Sequence, residues 1–259
     1  MEPPRSLFPD ERQALILERL RTHGRVSAPA LAQELMTSEH TIRRHLHDLA
    51  AAGHCKRVYG GALLTPPGPA SASARQGQDA GRKARLGAAA ATLVQAGMTV
   101  LIDAGSTNAA IAGALPERFG LTVISNAPAI CARLGERPGF RIILIGGRFS
   151  ADGGAAVGAT ALLQVQQIRA DLCFLGACAF DPQGGATAYD SEEAELKRAM
   201  VKASGRLAIA LTSEKLMATA PFFVAPAAAV DELVVEPDLP EAWRAGLRAS
   251  CGTLLEARP

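Results

Sequence analysis

Residues 38–63 read SEHTIRRHLHDLAAAGHCKRVYGGAL, and this stretch decides the fold of the first quarter of the chain. Ile42, Leu46 and Leu49 recur at the i, i+4 and i+7 spacing of one helix face. Ser38 stands where an N-cap belongs, and Gly53 is suited to end the helix. With the aliphatic side chains turned inward, the solvent side of this helix carries His40, Arg43, Arg44 and His47.

Two further helices are predicted upstream of this one. Residues 11–23 carry aliphatic side chains at helical spacing and stop before Gly24, which suits a left-handed C-cap. A short second helix is expected after Ser27, and a tight corner at residues 36–37 joins it to the third. Two helices that meet at a sharp turn, the second exposing basic side chains, form a helix-turn-helix that can enter a DNA major groove.

A short β-wing is predicted to follow. The segment HCKRVYGGA at 54–62 alternates and ends in two glycines, and its Lys56 and Arg57 can reach backbone phosphates. Residues 1–62 hold 9 Lys+Arg against 7 Asp+Glu, so the whole formal charge of +2 lies in this part of the chain. Such a patch favours a polyanionic partner, although a basic run alone is also typical of an ordinary solvated face.

The candidate DNA-binding residues follow from this chemistry. Arginine forks suit guanine edges or phosphates, and hydroxyls beside the free amides of a helix start can hold a phosphate. The sequence does not indicate whether Arg43 or Arg44 contacts the base edges. The expected set is Ser38, His40, Thr41, Arg43, Arg44, His47, Lys56 and Arg57.

A change in composition marks a domain boundary after the wing. Residues 65–81, TPPGPASASARQGQDAG, are rich in Pro, Gly, Ala and Ser and contain almost no large apolar side chain. We therefore predict a winged helix-turn-helix DNA-binding domain at 1–62, a linker at 63–82 and a second domain at 83–259.

Composition also excludes several classes of protein. At 259 residues with 48% hydrophobic and 20% charged residues, the chain is too apolar for intrinsic disorder. It has no apolar run of the roughly 18 residues that a membrane span needs, and its start lacks a secretory pattern, so a cytoplasmic protein is expected. The five cysteines include no C-x-x-C pair, which argues against a disulfide framework or a metal site. No cofactor is implied.

The second domain is predicted to be α/β with a doubly wound, mainly parallel sheet. Its apolar runs do not alternate, as is typical of strands buried on both faces. The predicted strands are 98–103, 121–126, 140–147, 171–177 and 206–211. Alanine-rich helices are expected between them at 83–95, 107–115, 128–134, 159–168 and 191–203.

Each predicted strand runs into a polar or glycine-rich turn, and in a parallel sheet these turns share the carboxyl edge where ligands bind. The turn after the first strand is the sharpest, because a glycine precedes hydroxyls at a helix start that favours an anion. A phosphate is the natural occupant. The candidate pocket residues are Asp103, Gly105, Ser106, Thr107, Asn108, Ser125, Asn126, Gly146, Gly147, Arg148, Asp190, Glu193 and Lys215.

The stretch at 38–63 resembles the DNA-binding signature of the DeoR family of bacterial transcription regulators, in which a Ser-x-x-Thr-Ile-Arg-Arg helix precedes a basic wing closed by Gly-Gly-Ala. Three positions depart from the usual family residues: Thr37 replaces valine, His45 replaces aspartate and Tyr59 replaces histidine. These changes affect helix packing or operator preference and leave the arginine pair intact.

Residues 83–236 are similar to the sensor domain of the same family. The resemblance is carried by DAGSTN at 103–108, SN at 125–126, GG at 146–147, GGATAYDSEEAELKRAMVKAS at 184–204 and TSEKL at 212–216. It implies a sugar-phosphate-isomerase and CoA-transferase-like fold that binds a phosphorylated sugar or polyol. Ser106 replaces a commoner threonine and keeps the hydroxyl. Thr212 replaces the usual aspartate, which removes a carboxylate from the expected pocket.

The leading hypothesis is a homo-oligomeric transcription regulator, more often a repressor, that binds a double-stranded operator as a dimer or tetramer under control of a phosphorylated effector. The alternative is a sugar-phosphate isomerase or deaminase with an accessory DNA-binding module. Acids and a lysine for such chemistry are present, but their spacing does not require catalysis. All five histidines lie in the predicted DNA-binding domain, called the reader below. A third hypothesis, a constitutive DNA-binding protein with a structural second domain, is favoured by Thr212, which lacks the carboxylate expected in the pocket.

Overall fold

The computed structural model describes residues 9–51, 54–64 and 77–258. Within these ranges the N-terminal unit consists of α1 (Pro9–His23), β1 (Arg25–Ser27), α2 (Ala28–Glu34), α3 (Glu39–Ala51), β2 (Cys55–Val58) and β3 (Gly61–Leu64). The predicted helix end at Gly53 and most of the predicted linker lie outside the described residues.

The three predicted helices are present, and the helical spacing in α3 has the expected effect. Ile42, Leu46 and Leu49 are at most 2% exposed and pack with Ile16 and Leu20 of α1. The cap of α3 is also as predicted, since the hydroxyl at position 38 accepts a hydrogen bond of 3.1 Å from the third amide of the helix.

The predicted wing is the antiparallel pair β2–β3, and a third strand completes its sheet in the order β1-β3-β2. Sequence patterning did not predict β1, because three residues are too few to show a period of two. Gly24 lies between α1 and β1 with φ of 71°, and its amide bonds to the Leu20 carbonyl at 2.8 Å. The left-handed C-cap expected there is confirmed.

The second unit contains six helices and twelve strands among the described residues. They are α4 (Ala80–Ala91), β4 (Thr99–Ile102), α5 (Ser106–Ala114), β5 (Leu121–Ser125), α6 (Pro128–Gly135), β6 (Phe140–Leu144), β7 (Arg148–Ser150), β8 (Ala155–Val157), α7 (Ala159–Gln166), β9 (Leu172–Leu175), β10 (Ala179–Asp181), β11 (Gly185–Ala188), α8 (Ser191–Lys202), β12 (Leu207–Ala210), β13 (Phe222–Ala225), β14 (Glu232–Val235), α9 (Glu241–Ser250) and β15 (Thr253–Glu256).

Seven of these strands form one parallel sheet in the order β15-β14-β12-β9-β4-β5-β6. The chain builds outward from β4 through β5 to β6, and then from β9 through β12 and β14 to β15 on the other side. The strand order therefore reverses between β4 and β9, which is the switch point of a doubly wound sheet. All five predicted strands and the predicted fold class are confirmed.

Both faces of this sheet are covered. Leu101 and Cys173 point into one apolar core, while Val100, Leu172 and Phe174 point into the other, and all five are fully buried. This accounts for the lack of alternation in the sequence of the strands. Within the described ranges, no helix is long and apolar enough to cross a membrane.

Candidate functional site

The outer face of α3 presents the predicted DNA-contacting side chains to solvent. His40, Arg43, Arg44 and His47 are all exposed. Arg43 forms an i,i+4 ion pair with Glu39 at 3.0 Å, whereas Arg44 forms no ion pair with any described residue. Because exposed pairs of this kind contribute little, Arg43 can exchange its partner for a DNA phosphate at low cost.

The start of α3 and the wing extend this surface. The Ser38 hydroxyl is engaged in capping and lies 2.9 Å from the Thr41 hydroxyl, so these two side chains order the helix start. Lys56 and Arg57 are exposed on β2. At the tip of the wing Tyr59 is fully exposed, a position that sequence reasoning treated only as a departure from the family pattern.

A pocket lies at the switch point of the sheet, above the carboxyl ends of β4 and β9. Eight predicted residues line it, namely Asp103, Gly105, Ser106, Thr107, Asn108, Asn126, Glu193 and Lys215. Lining residues that were not predicted include Gly153, Gly176, Cys178 and Lys197. The position agrees with the rule that ligands bind where the strand order reverses.

Asp103 is the centre of the polar wall of this pocket. It is 1% exposed, and its two oxygens accept hydrogen bonds from the amides of Ala104 at 2.8 Å and Gly176 at 2.9 Å. Its Oδ2 also forms an ion pair with the Lys197 ammonium, which comes from α8. The carboxylate thus joins β4, β9 and α8 at one point.

Lys197 is the main residue that sequence reasoning missed. The sequence indicates an ordinary i,i+4 helix pair with Glu193, but the side chain is buried and points to Asp103. Burial lowers the pKa of Lys197, and the carboxylates of Asp103 and Glu193 more than offset this, so the pKa lies above its ordinary value. A charged lysine therefore stands in the pocket wall at neutral pH.

The start of α5 forms the other wall. Gly105 precedes the helix with φ of 142°, and a side chain there would meet open space, so the backbone faces the pocket directly. The first amides of a helix have no partner within it and carry its positive dipole end. Thr107 lies beside them and is 6% exposed. Asn108 instead bonds the carbonyls of Asp103 and Phe174, which holds β4 to β9.

Asn126 joins the pocket from the end of β5. Its side-chain oxygen accepts a hydrogen bond from the Ala104 amide at 3.2 Å, and its amide group donates to the Ala156 carbonyl at 3.3 Å. Lys215 reaches the pocket from the turn after β12 and donates to the Ala177 carbonyl at 3.3 Å. Both predicted residues therefore lie on the polar rim.

Five predicted residues do not line this pocket. Asp190 is the N-cap of α8 and accepts from the Glu193 amide at 2.9 Å, while Ser125 is buried and caps the following turn. The other three, Gly146, Gly147 and Arg148, follow β6, two strands from the switch point and about 10 Å from β4. Arg148 is exposed there and pairs with Glu192.

Thr212 also lies outside the pocket lining. It is 1% exposed, and its hydroxyl donates to the Glu214 carboxylate at 2.5 Å. Replacing the usual aspartate by Thr212 therefore leaves the pocket wall formed by Asp103, Asn126 and Lys197 unchanged.

A winged helix-turn-helix followed by an α/β domain with a polar pocket at its switch point defines a DNA-binding protein with a ligand-binding domain. Comparison with known proteins agrees. The DeoR-like helix-turn-helix domain matches residues 12–66, and the DeoR C-terminal sensor domain matches residues 78–237. The chain belongs to the DeoR family of transcription regulators.

Individual relatives align with this chain over most of both sequences. The chain is 31% identical to the HTH-type transcriptional regulator GolR of Listeria innocua, over 89% of this chain and 91% of that one. It is 30% identical to the glycerol-3-phosphate regulon repressor of Escherichia coli, over 79% of this chain and 82% of that one. These relatives are regulators, which supports a regulator rather than an enzyme.

Solved structures give weaker similarity. Ribose 5-phosphate isomerase from Plasmodium falciparum aligns with a TM-score of 0.37 and 14% identity, over 53% of each chain. The eIF2B delta structure from Chaetomium thermophilum aligns with a TM-score of 0.41 and 12% identity, over 82% of this chain and 66% of that one.

Proposed function

We propose that this chain is a transcriptional repressor whose operator affinity is controlled by a phosphorylated sugar or polyol in the switch-point pocket. The observation that carries the proposal is the composition of the two walls. The α5 wall offers free amides and a buried threonine hydroxyl, which suit a phosphate. The opposite wall offers Asp103, Asn126 and Glu193, which suit hydroxyl groups.

The DNA-binding half of the proposal rests on α3 and the wing. Arg43 and Arg44 are placed for guanine edges or phosphates in the major groove, and Lys56 and Arg57 for backbone phosphates. His40, His47 and the hydroxyls at the helix start contribute phosphate contacts or orient the helix. The name of the E. coli relative, a glycerol-3-phosphate regulon repressor, supports both repression and a small phosphorylated effector.

A homo-oligomer is part of the proposal. Each chain carries one reader, and helix-turn-helix proteins of this kind bind two half-sites as dimers. Strand β6 is an edge of the sheet and leaves Ile143 45% and Leu144 50% exposed, an apolar edge that a second copy would cover. Sedimentation of the full chain tests this, with Ile143→Lys expected to shift the distribution toward the monomer.

The third hypothesis, a constitutive DNA-binding protein, drew its support from Thr212. That support is weakened because Thr212 lies outside the pocket lining and the pocket keeps its charged groups. A polar cavity with a buried ion pair is costly to maintain in a merely structural domain, which favours a ligand-binding role.

A thermal-shift screen of the full chain tests the effector. The panel contains sn-glycerol 3-phosphate, D-ribose 5-phosphate, D-fructose 6-phosphate, their unphosphorylated parents and inorganic phosphate. A binder at 100 times its Kd adds about 2.7 kcal/mol, which raises Tm by roughly 5–10 °C. Fluorescence anisotropy of a labelled duplex, selected from a random-sequence library, then measures whether the same compound releases the DNA from the protein.

A matched pair of variants makes the screen specific. Thr107→Val removes the hydroxyl at the proposed phosphate site, whereas Thr253→Val makes the same change at an exposed site on β15. We expect the first to abolish most of the ligand-induced shift and the second to keep it. Binding that ignores the phosphate group, or that Thr107→Val leaves intact, contradicts the proposed effector class.

A further inference from the structure

One short segment of the sensor domain, residues 212–217, contacts the pocket, the DNA-binding domain and the start of α4. It begins at the end of β12, and Lys215 within it lines the effector pocket. Met217, two residues later, lies against the DNA-binding domain. Because two residues span at most about 7 Å, the pocket contact and the domain contact belong to one local structure.

The contact with the DNA-binding domain joins the backbone of Gly24 to the Cβ and the backbone of Met217. A Cβ placed on Gly24 would lie 2.1 Å from the Met217 Cβ and 2.6 Å from the Met217 carbonyl oxygen, so only glycine fits. Gly24 in turn accepts a hydrogen bond from the Leu64 amide at 2.7 Å. Since Leu64 is the last residue of β3, the contact point fixes the end of α1 to the end of the wing sheet.

The same segment holds the far side of the linker. Arg82, in the first turn of α4, donates to the Ser213 hydroxyl and to the Glu214 carboxylate, each at 3.0 Å. It also forms a two-point ion pair with Glu236, at 2.5 and 2.6 Å, and that carboxylate accepts from the Ser213 amide at 2.8 Å. The segment therefore contacts Arg82 directly and, through Gly24, the end of β3.

The segment is also held in an unusual backbone state. Met217 has φ of 55°, a left-handed conformation that a side-chain-bearing residue adopts only when its surroundings impose it. Leu216 beside it is fully buried and bridges to Phe180, which anchors one end of the segment in the sensor core.

We propose that the 212–217 segment is the element that couples the effector pocket to the DNA-binding domain, through the Met217–Gly24 contact. The inference rests on the proposed function, in which pocket occupancy sets operator affinity. An effector that engages Lys215 shifts the segment, and Met217 then changes the placement of the reader relative to the sensor.

Coupling is reciprocal, so DNA must affect the same segment and the test needs no effector. Amide hydrogen exchange is measured on the full chain with and without a duplex selected from a random-sequence library. We expect DNA to change exchange in residues 212–217 and in the pocket turn at 103–108 by about fivefold or more, the lower end of allosteric couplings. DNA that binds tightly without any change at 212–217 overturns the proposal.

Two variants at one position make the test specific. Met217→Gly keeps the backbone state, which glycine adopts freely, and removes the side chain that meets Gly24. The DNA affinity of this variant should lie within about twofold of wild type, because position 217 is outside the DNA-binding domain. The variant should lose the DNA-induced change in exchange at residues 103–108. Met217→Leu retains an apolar side chain and should keep that change.

The outcomes separate this proposal from the proposed function. If Met217→Gly still transmits the DNA-induced change to residues 103–108, the coupling path is wrong whatever the effector is. If DNA and Met217 behave as expected while no phosphorylated compound shifts Tm, the coupling stands and the proposed effector class fails.

Discussion

The buried ion pair between Lys197 and Asp103 allows a sharp prediction about the stability of the sensor domain. Lys197→Met keeps the length and apolar stem of the side chain and removes its charge. Asp103 is 1% exposed and then keeps only its two backbone amide donors, at 2.8 and 2.9 Å. Breaking a buried pair by removing one partner costs about 3–5 kcal/mol, and the remaining amides place this case near the lower end.

The assay uses the single tryptophan of the chain. Trp243 lies in the core of the sensor domain and is 5% exposed, so its fluorescence follows unfolding of that domain in urea or on heating. A loss of about 3 kcal/mol corresponds to a Tm lower by roughly 6–12 °C for a domain of this size.

Two controls define the result. Arg248→Met makes the matching change at an exposed pair, where the partner Glu256 lies 3.1 Å away, and should cost less than about 1 kcal/mol. The double variant Asp103→Asn with Lys197→Met removes both charges and should recover at least half of the loss. If Lys197→Met is no less stable than Arg248→Met, the pair is not the buried electrostatic centre described above.

Three further predictions use the same protein. The pKa of Glu236 lies below its ordinary value because hydrogen bonds from Arg82 outweigh burial, so its stabilising effect is present above about pH 4.3 and is lost as pH falls through the lowered pKa. Glu236→Gln should therefore flatten the loss of stability that urea titrations measure as pH falls below about 4.3; an unchanged slope contradicts the pairing. Gly176→Ala should destabilise the sensor by about 1–3 kcal/mol, because the new methyl would lie 2.4 Å from a backbone carbonyl oxygen, whereas Gly135→Ala meets open space and should be neutral in the same melts. Arg57→Ala should lower the slope of log affinity against log salt by about one without changing the preferred sequence, and a change in preference would instead assign Arg57 to base contact.

The sequence predicts most of the reader, because its signals are local. The helical spacing of Ile42, Leu46 and Leu49, the cap at Ser38 and the left-handed Gly24 each depend on residues within one or two turns. Five strands of the parallel sheet are predicted for the same reason, since each contains a short run of mainly apolar residues. Strands β14 and β15 were missed because each has only four residues and includes a glutamate, and β15 is an edge strand with two apolar residues.

The pocket was predicted only in part, because its membership depends on contacts between distant segments. The Asp103–Lys197 pair joins residues 94 positions apart, and nothing near Lys197 distinguishes it from a surface helix lysine. Gly146 and Gly147 were predicted because they follow a strand, but β6 lies at the sheet edge and its carboxyl end is not at the switch point. Strand order, which sequence patterning does not supply, decides which turns form the pocket.

The same ion pair also decides how the proposed effector would orient. Lys197 and Asp103 neutralise each other, so this wall offers hydrogen bonds without a net attraction for an anion. The start of α5 adds the positive end of its helix dipole to the pocket. Under the proposed function, a phosphate would therefore lie at the start of α5, and the hydroxylated end of the effector would meet Asp103 and Glu193.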